Sequence, residues 1–275
     1  MQKPELSFYT MMQYPIPNQE HYFYYKKKSN KKKSNTQKEK YNPETQFRRN
    51  KINQYKRLRK NLPYIEHIYI CDSLSFNAAN KWSDIDLFFI VKQWCMRRAR
   101  LLSVIICSII GIKRSLRKKS QYFDLIFYID EKHANIEYIS LQPEDIYLNY
   151  RLAHLIPLYQ SRPYNIYTDN RRIQKCLPNF PMKHTTQQNI QTGSWWIKKA
   201  CETIRGTKAD NFWEQLIKRG WKPLVIRKKN KHKEDWRGII ITDQMLKFHK
   251  DKRIDIQKEW ESIKQVSRKE RSTDK

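Results

Sequence analysis

The chain has 275 residues, and 56 lysines and arginines against 27 aspartates and glutamates give it a net charge of +29. That excess favours a polyanionic partner such as nucleic acid, a nucleoside triphosphate or an anionic membrane surface. The five glycines never cluster, which excludes P-loop NTPases and Rossmann-type NAD enzymes. The five cysteines form no Cys-x-x-Cys pair, so we expect a cytoplasmic protein without a structural zinc or a disulfide framework.

Residues 1–43 are predicted to form a disordered basic tail. Prolines interrupt an aromatic opening, and a lysine-rich run follows at 26–33. Like charges at that density repel one another and resist compaction. Such a tail either contacts nucleic acid or only keeps the protein solvated, and the sequence favours neither.

Residues 44–160 alternate between helical and extended patterns, which predicts an α/β (α+β) domain with a small mixed sheet flanked by helices. The predicted strands cover 65–71, 84–91, 122–129 and 137–141, and the predicted helices cover 44–62, 93–112 and 145–160. The apolar stretch 99–112 is shorter than the roughly 20 residues that span a bilayer. It predicts a buried core helix, with a helix lying on anionic lipid as the alternative.

Residues 161–275 are predicted to form a mainly helical C-terminal region. Several prolines suggest a linker over 161–190, and helical patterns follow over 194–205, 209–218 and 252–266. The tryptophans of this region favour core packing, with base stacking as the alternative. A basic block at 222–233 either grips phosphates or forms a solvated face.

Two aspartates open the second strand, in the run Ser83-Asp84-Ile85-Asp86-Leu87. Side chains two apart on a strand share a face and lie roughly 6–7 Å apart along it. Carboxylates so placed suit hard divalent cations, since two like charges beside a core are costly without a cation. The alternative is a polar strand start with solvent-exposed aspartates.

A serine-bearing turn precedes these aspartates. Ser73 lies eleven positions before Asp84, and Ala79 provides a small residue between them. Strand, Ser-bearing turn and Asp-x-Asp strand together resemble the small bacterial members of the polymerase-beta-like nucleotidyltransferase superfamily. Asp72 and Asn77 stand where that family has glycines, and both residue types tolerate left-handed backbone geometry.

The resemblance implies a third carboxylate on the next strand, for which Asp124 is the candidate and Asp130 the weaker alternative. It further implies that Asp84, Asp86 and Asp124 are catalytic and hold two Mg²⁺ ions, with Mn²⁺ as a substitute. Asp124 would also accept the proton of the attacking hydroxyl. The residues implied to bind the NTP donor are Ser73, Asp72 and Ser83.

The sequence therefore predicts a metal-dependent nucleotidyltransferase that moves a nucleoside monophosphate from an NTP to an acceptor hydroxyl. The acceptor is open between RNA, a protein side chain and a small molecule. The alternative is a non-catalytic, basic nucleic-acid-binding protein on a degenerate nucleotidyltransferase fold. Glycosyltransferases, haloacid-dehalogenase-like phosphatases and EF-hands share acidic motifs with this chain, but the residues around Asp84 fit them less well.

Overall fold

A six-stranded mixed sheet with helices on both faces forms the body of the protein. The computed structural model describes residues 8–14, 42–55, 61–115, 120–142, 144–178, 196–203, 206–208, 212–220, 223, 239–248 and 252–273. Within these ranges the strand order is β4-β1-β2-β3-β6-β5. The mixed sheet with its helices confirms the predicted α/β (α+β) class.

The strands are β1 (Ile65–Ile70), β2 (Ile85–Val91), β3 (Phe123–Asp130), β4 (Ile156–Gln160), β5 (Ile240–Ile241) and β6 (Met245–Lys247). The helices are α1 (Phe8–Met11), α2 (Pro43–Gln54), α3 (Met96–Ile109), α4 (Ile146–Ala153), α5 (Arg172–Cys176), α6 (Trp196–Thr203), α7 (212–220) and α8 (Arg253–Thr273).

The central pair β2–β3 is parallel, and every other pairing in the sheet is antiparallel. Helix α3 connects the two central strands, as a parallel pair requires. All seven residues of β2 are buried. A strand covered on both faces needs apolar residues at almost every position, which explains the continuous run after Asp86.

The core lies in two clusters, one on each face of the sheet. Alternation along β2 sends Phe88 and Ile90 to the front cluster, with α1, α4, α5 and α8. It sends Phe89 and Val91 to the back cluster, with α2 and α3. By the same alternation Asp86 belongs to the front face.

Helix α3 packs one side against the back of the sheet, through Ala99, Ser103 and Cys107. The prediction of a buried core helix therefore holds for this side. The opposite side exposes Leu101, Ile105 and Ile109 to solvent. None of the helices in the described ranges is both long enough and apolar enough to cross a membrane.

Two predictions for residues 137–160 were wrong. The predicted helix 145–160 ends at Ala153, and Ile156–Gln160 form β4 instead. Pro157 is compatible with this strand because β4 is an edge strand, where a missing N–H is tolerated. The predicted strand 137–141 is a single 3₁₀ turn over Glu137–Ile139.

The N-terminal segment departs from the predicted disordered tail. Phe8 and Tyr9 in α1 are almost fully buried, and the Phe8 ring stacks on Tyr150 with ring centroids 4.2 Å apart. Burial of two aromatic side chains in a core stabilises a fold by several kcal/mol, so the packing of Phe8 and Tyr9 holds this segment against the core. The tail prediction is therefore wrong for 8–14, and residues 15–41, with the lysine run, lie outside the described ranges.

The C-terminal region contributes to the sheet as well as to helices. Strands β5 and β6 were missed because both are very short, and β6 pairs with β3 in the middle of the chain. Part of the predicted linker is also packed, since Ile166 and Ile173 are buried in the front cluster. Residues 179–195 and the basic block 222–233, apart from Pro223, lie outside the described ranges.

Candidate functional site

Three aspartates meet where β2 and β3 begin. Asp84 lies just before β2, Asp86 is its second residue, and Asp124 is the second residue of β3. The parallel register pairs the Cα atoms of Asp86 and Asp124 directly. One carboxylate oxygen from each of the three residues lies within 4.8 Å of the other two. The expected convergence of these side chains is therefore present, and the group can hold a metal ion.

Arg114 bridges two of these carboxylates. Its Nη1 lies 2.5 Å from Asp84 Oδ2 and also forms an ion pair with Asp124 Oδ2. Arg114 follows the isolated bridge between Lys113 and Phe123, so the backbone beside β3 delivers it to the site. The two carboxylates thus already share one cationic group.

The surroundings of Asp86 disfavour its ionised form. Burial raises the pKa of Asp86 well above its usual value, and the charges of Asp72, Asp84 and Asp124 raise it further. Burial also raises the pKa of Asp84, against the opposing charge of Arg114. Raised pKa values from burial and like charges are the pattern of a site that a cation would relieve.

A fourth carboxylate, Asp72, borders the site but has its own cation. Arg151 Nη2 donates to Asp72 Oδ2 at 2.8 Å, and the Tyr147 hydroxyl donates to Asp72 Oδ1 at 3.1 Å. Arg151 is buried, and its guanidinium lies 5.6 Å from the centroid of the Phe127 ring. The negative charge of Asp72 in the serine-bearing turn is therefore paired with Arg151.

Two residues of the serine-bearing turn have left-handed backbone geometry. Asp72 has φ +56° and Asn77 has φ +57°. Only Gly, Asn and Asp adopt this left-handed region readily, because other side chains clash there. Asp72 and Asn77 therefore adopt the left-handed geometry that their residue types were expected to tolerate. Asn42, the N-cap of α2, fixes the turn through hydrogen bonds with Asn77 and Ala79.

The remaining predicted donor-binding residues lie on the same loop. Ser73 is half-buried in the 3₁₀ turn Asp72–Leu74, and its carbonyl accepts from Ala78 N at 2.8 Å. The Ser83 hydroxyl closes a turn by accepting from Asn80 N at 3.0 Å. Ser83 thus holds the loop that carries Asp84, and its role in binding a donor stays a prediction.

Asp130, the alternative third carboxylate, lies at the other end of β3, where it pairs with Val91. It is buried, and its oxygens accept hydrogen bonds from Trp94 N at 3.0 Å and Lys132 N at 2.9 Å. A carboxylate satisfied by backbone donors has a structural role. Asp124 is the residue that joins the Asp84–Asp86 pair.

Sequence reasoning missed the two arginines that balance these acids. Arg114 lies just after the apolar stretch 99–112 and Arg151 lies within the predicted helix 145–160, and the sequence assigned neither of them a role in the site. Their roles depend on contacts that short sequence patterns do not encode.

No protein-family model, no curated protein and no solved structure matches the chain.

Proposed function

We propose that the protein is a metal-dependent nucleotidyltransferase that moves a nucleoside monophosphate from an NTP to an acceptor hydroxyl. The observation that carries the proposal is the convergence of Asp84, Asp86 and Asp124 within 4.8 Å. The left-handed turn at Asp72 beside this group supports it, because successive backbone N–H groups in such turns suit anionic phosphates.

The donor set fits hard divalent cations. Carboxylate oxygens are the ligands that Mg²⁺ and Mn²⁺ prefer. The Arg114 guanidinium between Asp84 and Asp124 serves as a stand-in cation, showing that the pair accepts positive charge. Four carboxylates, those of Asp72 and the three aspartates above, face the two guanidinium groups of Arg114 and Arg151. When all are ionised the group keeps an excess negative charge that a divalent ion would offset.

Each residue then has a stated task. Asp84, Asp86 and Asp124 would hold two Mg²⁺ ions, which would supply positive charge to the triphosphate and to the attacking hydroxyl. Asp124 accepts the proton of that hydroxyl as its oxygen bonds to the α-phosphorus. The bond from the α-phosphorus to the bridging oxygen breaks, and pyrophosphate leaves. Arg151 pairs with Asp72 and so reduces its repulsion of the donor phosphates.

The test is incubation with each α-³²P-labelled NTP and Mg²⁺, with total RNA or the protein itself as acceptor. We expect stable label transfer with α-labelled but not γ-labelled NTP, and loss of transfer on chelation of the metal. Asp130→Asn is the matched control, since it changes a buried aspartate of the same sheet away from the site. Failure of every NTP to label any acceptor would contradict the proposal.

The second candidate function is a nucleic-acid-binding protein without catalysis. The specific observation in its favour is Arg114, which already bridges two of the carboxylates that a metal would need. In that case the acids and Arg114 form a permanent ion-pair cluster. Nucleic-acid affinity that falls steeply with salt, together with no response to Mg²⁺, would support this function over transfer.

A further inference from the structure

Two aromatic residues, each with a lysine over its ring, stand two positions before aspartates of the group. Trp82 lies two positions before Asp84, and Tyr122 lies two positions before Asp124. Lys81 Nζ is 5.1 Å from the centroid of the Trp82 ring, and Lys51 Nζ is 4.5 Å from that of Tyr122. We name the surface formed by Lys51, Lys81, Trp82 and Tyr122 the aromatic rim.

The aromatic rim is built on a braced loop. Ser83 O accepts from both Arg48 Nε at 2.9 Å and Gln121 N at 3.0 Å, which ties α2 and the 120–122 turn to the loop. Ser120 Oγ donates to Lys81 O at 2.6 Å, and Ile85 N donates to Tyr122 O at 3.0 Å. Both ring-bearing segments are therefore fixed to the strands that carry the aspartates.

Trp82 is 74% exposed, the largest exposure of any aromatic side chain in the described ranges. A large ring left in water on a braced loop stabilises the fold little, because it buries little apolar area. The face of the ring that Lys81 does not cover is available to another planar group, and Lys81 supplies positive charge beside it. An aromatic face beside a cation is the arrangement that binds the bases and phosphates of unpaired nucleic acid.

We propose that the aromatic rim binds the end of a single-stranded nucleic acid and presents its terminal hydroxyl to Asp84, Asp86 and Asp124. Only an unpaired strand exposes base faces for stacking, since a duplex keeps them stacked inside. The net charge of +29 complements a phosphate backbone. The role as acceptor depends on the proposed transferase activity, whereas binding of the strand does not.

The experiment measures binding of a fluorescently labelled single-stranded RNA of about ten nucleotides to the full chain by anisotropy, at fixed salt and without metal or NTP. A duplex of the same sequence is the second ligand. Because stacking of one base contributes on the order of 1–3 kcal/mol, Trp82→Ala should weaken binding of the single strand about tenfold. Trp82→Phe, which keeps an aromatic face, should recover most of the affinity.

Trp94→Ala is the matched control. Trp94 is 66% exposed and follows β2, so it lies at the opposite end of the strand from Trp82. We expect unchanged binding in this variant, and we expect Trp82→Ala to leave duplex binding unchanged. Equal weakening by both substitutions, or no weakening by Trp82→Ala, would overturn the inference, as would equal loss of duplex affinity.

Transfer and binding can fail separately. If Trp82→Ala weakens strand binding but no NTP labels any acceptor, the aromatic rim stands as a binding surface and the transferase proposal fails. If label transfer occurs and the Trp82→Ala variant transfers to RNA as well as the parent chain, the transferase proposal stands and the acceptor inference fails.

Discussion

The two ends of the parallel pair β2–β3 each hold a buried aspartate, and their surroundings differ. At one end Asp130 accepts hydrogen bonds from Trp94 N and Lys132 N. At the other end Asp86 lies among Asp72, Asp84 and Asp124, which together with burial raise its pKa. A carboxylate that serves the fold is surrounded by donors. A buried carboxylate surrounded by other carboxylates lowers the stability of the fold, and this cost favours a role in binding a cation.

The largest expected effect is on transfer. Asp86→Asn should lower the transfer rate on the order of 1,000-fold or more, because it removes a carboxylate from the proposed metal group. Its thermal stability without metal should be equal to or higher than that of the parent chain, because a buried like charge is removed. Rates of label transfer and melting curves measure both. Equal rates in variant and parent would contradict the assignment.

Acid sensitivity should come from outside the site. Burial, together with the charges of Arg162 and Lys198, lowers the pKa of His67 to about 3. Its unfolded pKa is about 6.5, so the unfolded chain binds the proton first. Stability is therefore full above about pH 6.5 and falls by about 4 kcal/mol as the pH drops to 3.

The matched variant for this prediction is His67→Phe, which keeps a ring against Tyr164, where the two centroids lie 4.5 Å apart. Denaturant unfolding at a series of pH values should show that the variant loses less of its unfolding free energy at acid pH than the parent chain does. Asp84 and Asp86 have the opposite effect on stability at acid pH. Because their pKa values are raised in the folded state, their protonation stabilises the fold as the pH falls. If His67→Phe loses as much stability at acid pH as the parent chain, His67 is not the cause of the acid sensitivity.

Asp130 should behave as a structural residue. Asp130→Ala is expected to lower the free energy of unfolding by about 2 kcal/mol, since it leaves buried backbone donors without their acceptor. Its response to Mg²⁺ should match that of the parent chain. Loss of the metal response in this variant, with the fold intact, would break the distinction between the two ends.

The smallest expected effect concerns Arg114. Arg114→Gln removes the cation that competes for Asp84 and Asp124, so the affinity for Mn²⁺ in the absence of nucleotide should rise about tenfold, which corresponds to roughly 1.4 kcal/mol. Calorimetric titration measures this. Unchanged or weaker Mn²⁺ binding would show that Arg114 supports the site instead of competing for it.

Local patterns predicted the centre of the fold well and its margins poorly. The strands that became β1, β2 and β3 carry continuous apolar runs, and Asp84 and Asp86 follow from side-chain alternation on one of them. Strand β4 was taken for a helix, because its five residues follow α4 after a gap of only two. Its pairing with β1 is a long-range contact that no local period encodes.

The site shows the same limit. The Asp-x-Asp spacing indicated two of the acids, and Asp124 stood out as a single charge in an apolar strand. Arg114 and Arg151 are two of many cations in a chain of +29, so composition could not distinguish them. Phe8 and Tyr9 lie between Pro4 and Pro15, ahead of a lysine-rich run, and only tertiary packing identifies them as core.

Mn²⁺ binding followed by electron paramagnetic resonance tests the central claim most directly, in the parent chain and in the Asp124→Asn and Asp130→Asn variants. The account predicts bound Mn²⁺ in the parent chain and in Asp130→Asn, and its loss in Asp124→Asn. Absence of binding in the parent chain, or equal binding in Asp124→Asn, would contradict a divalent-cation site at the start of β2 and β3.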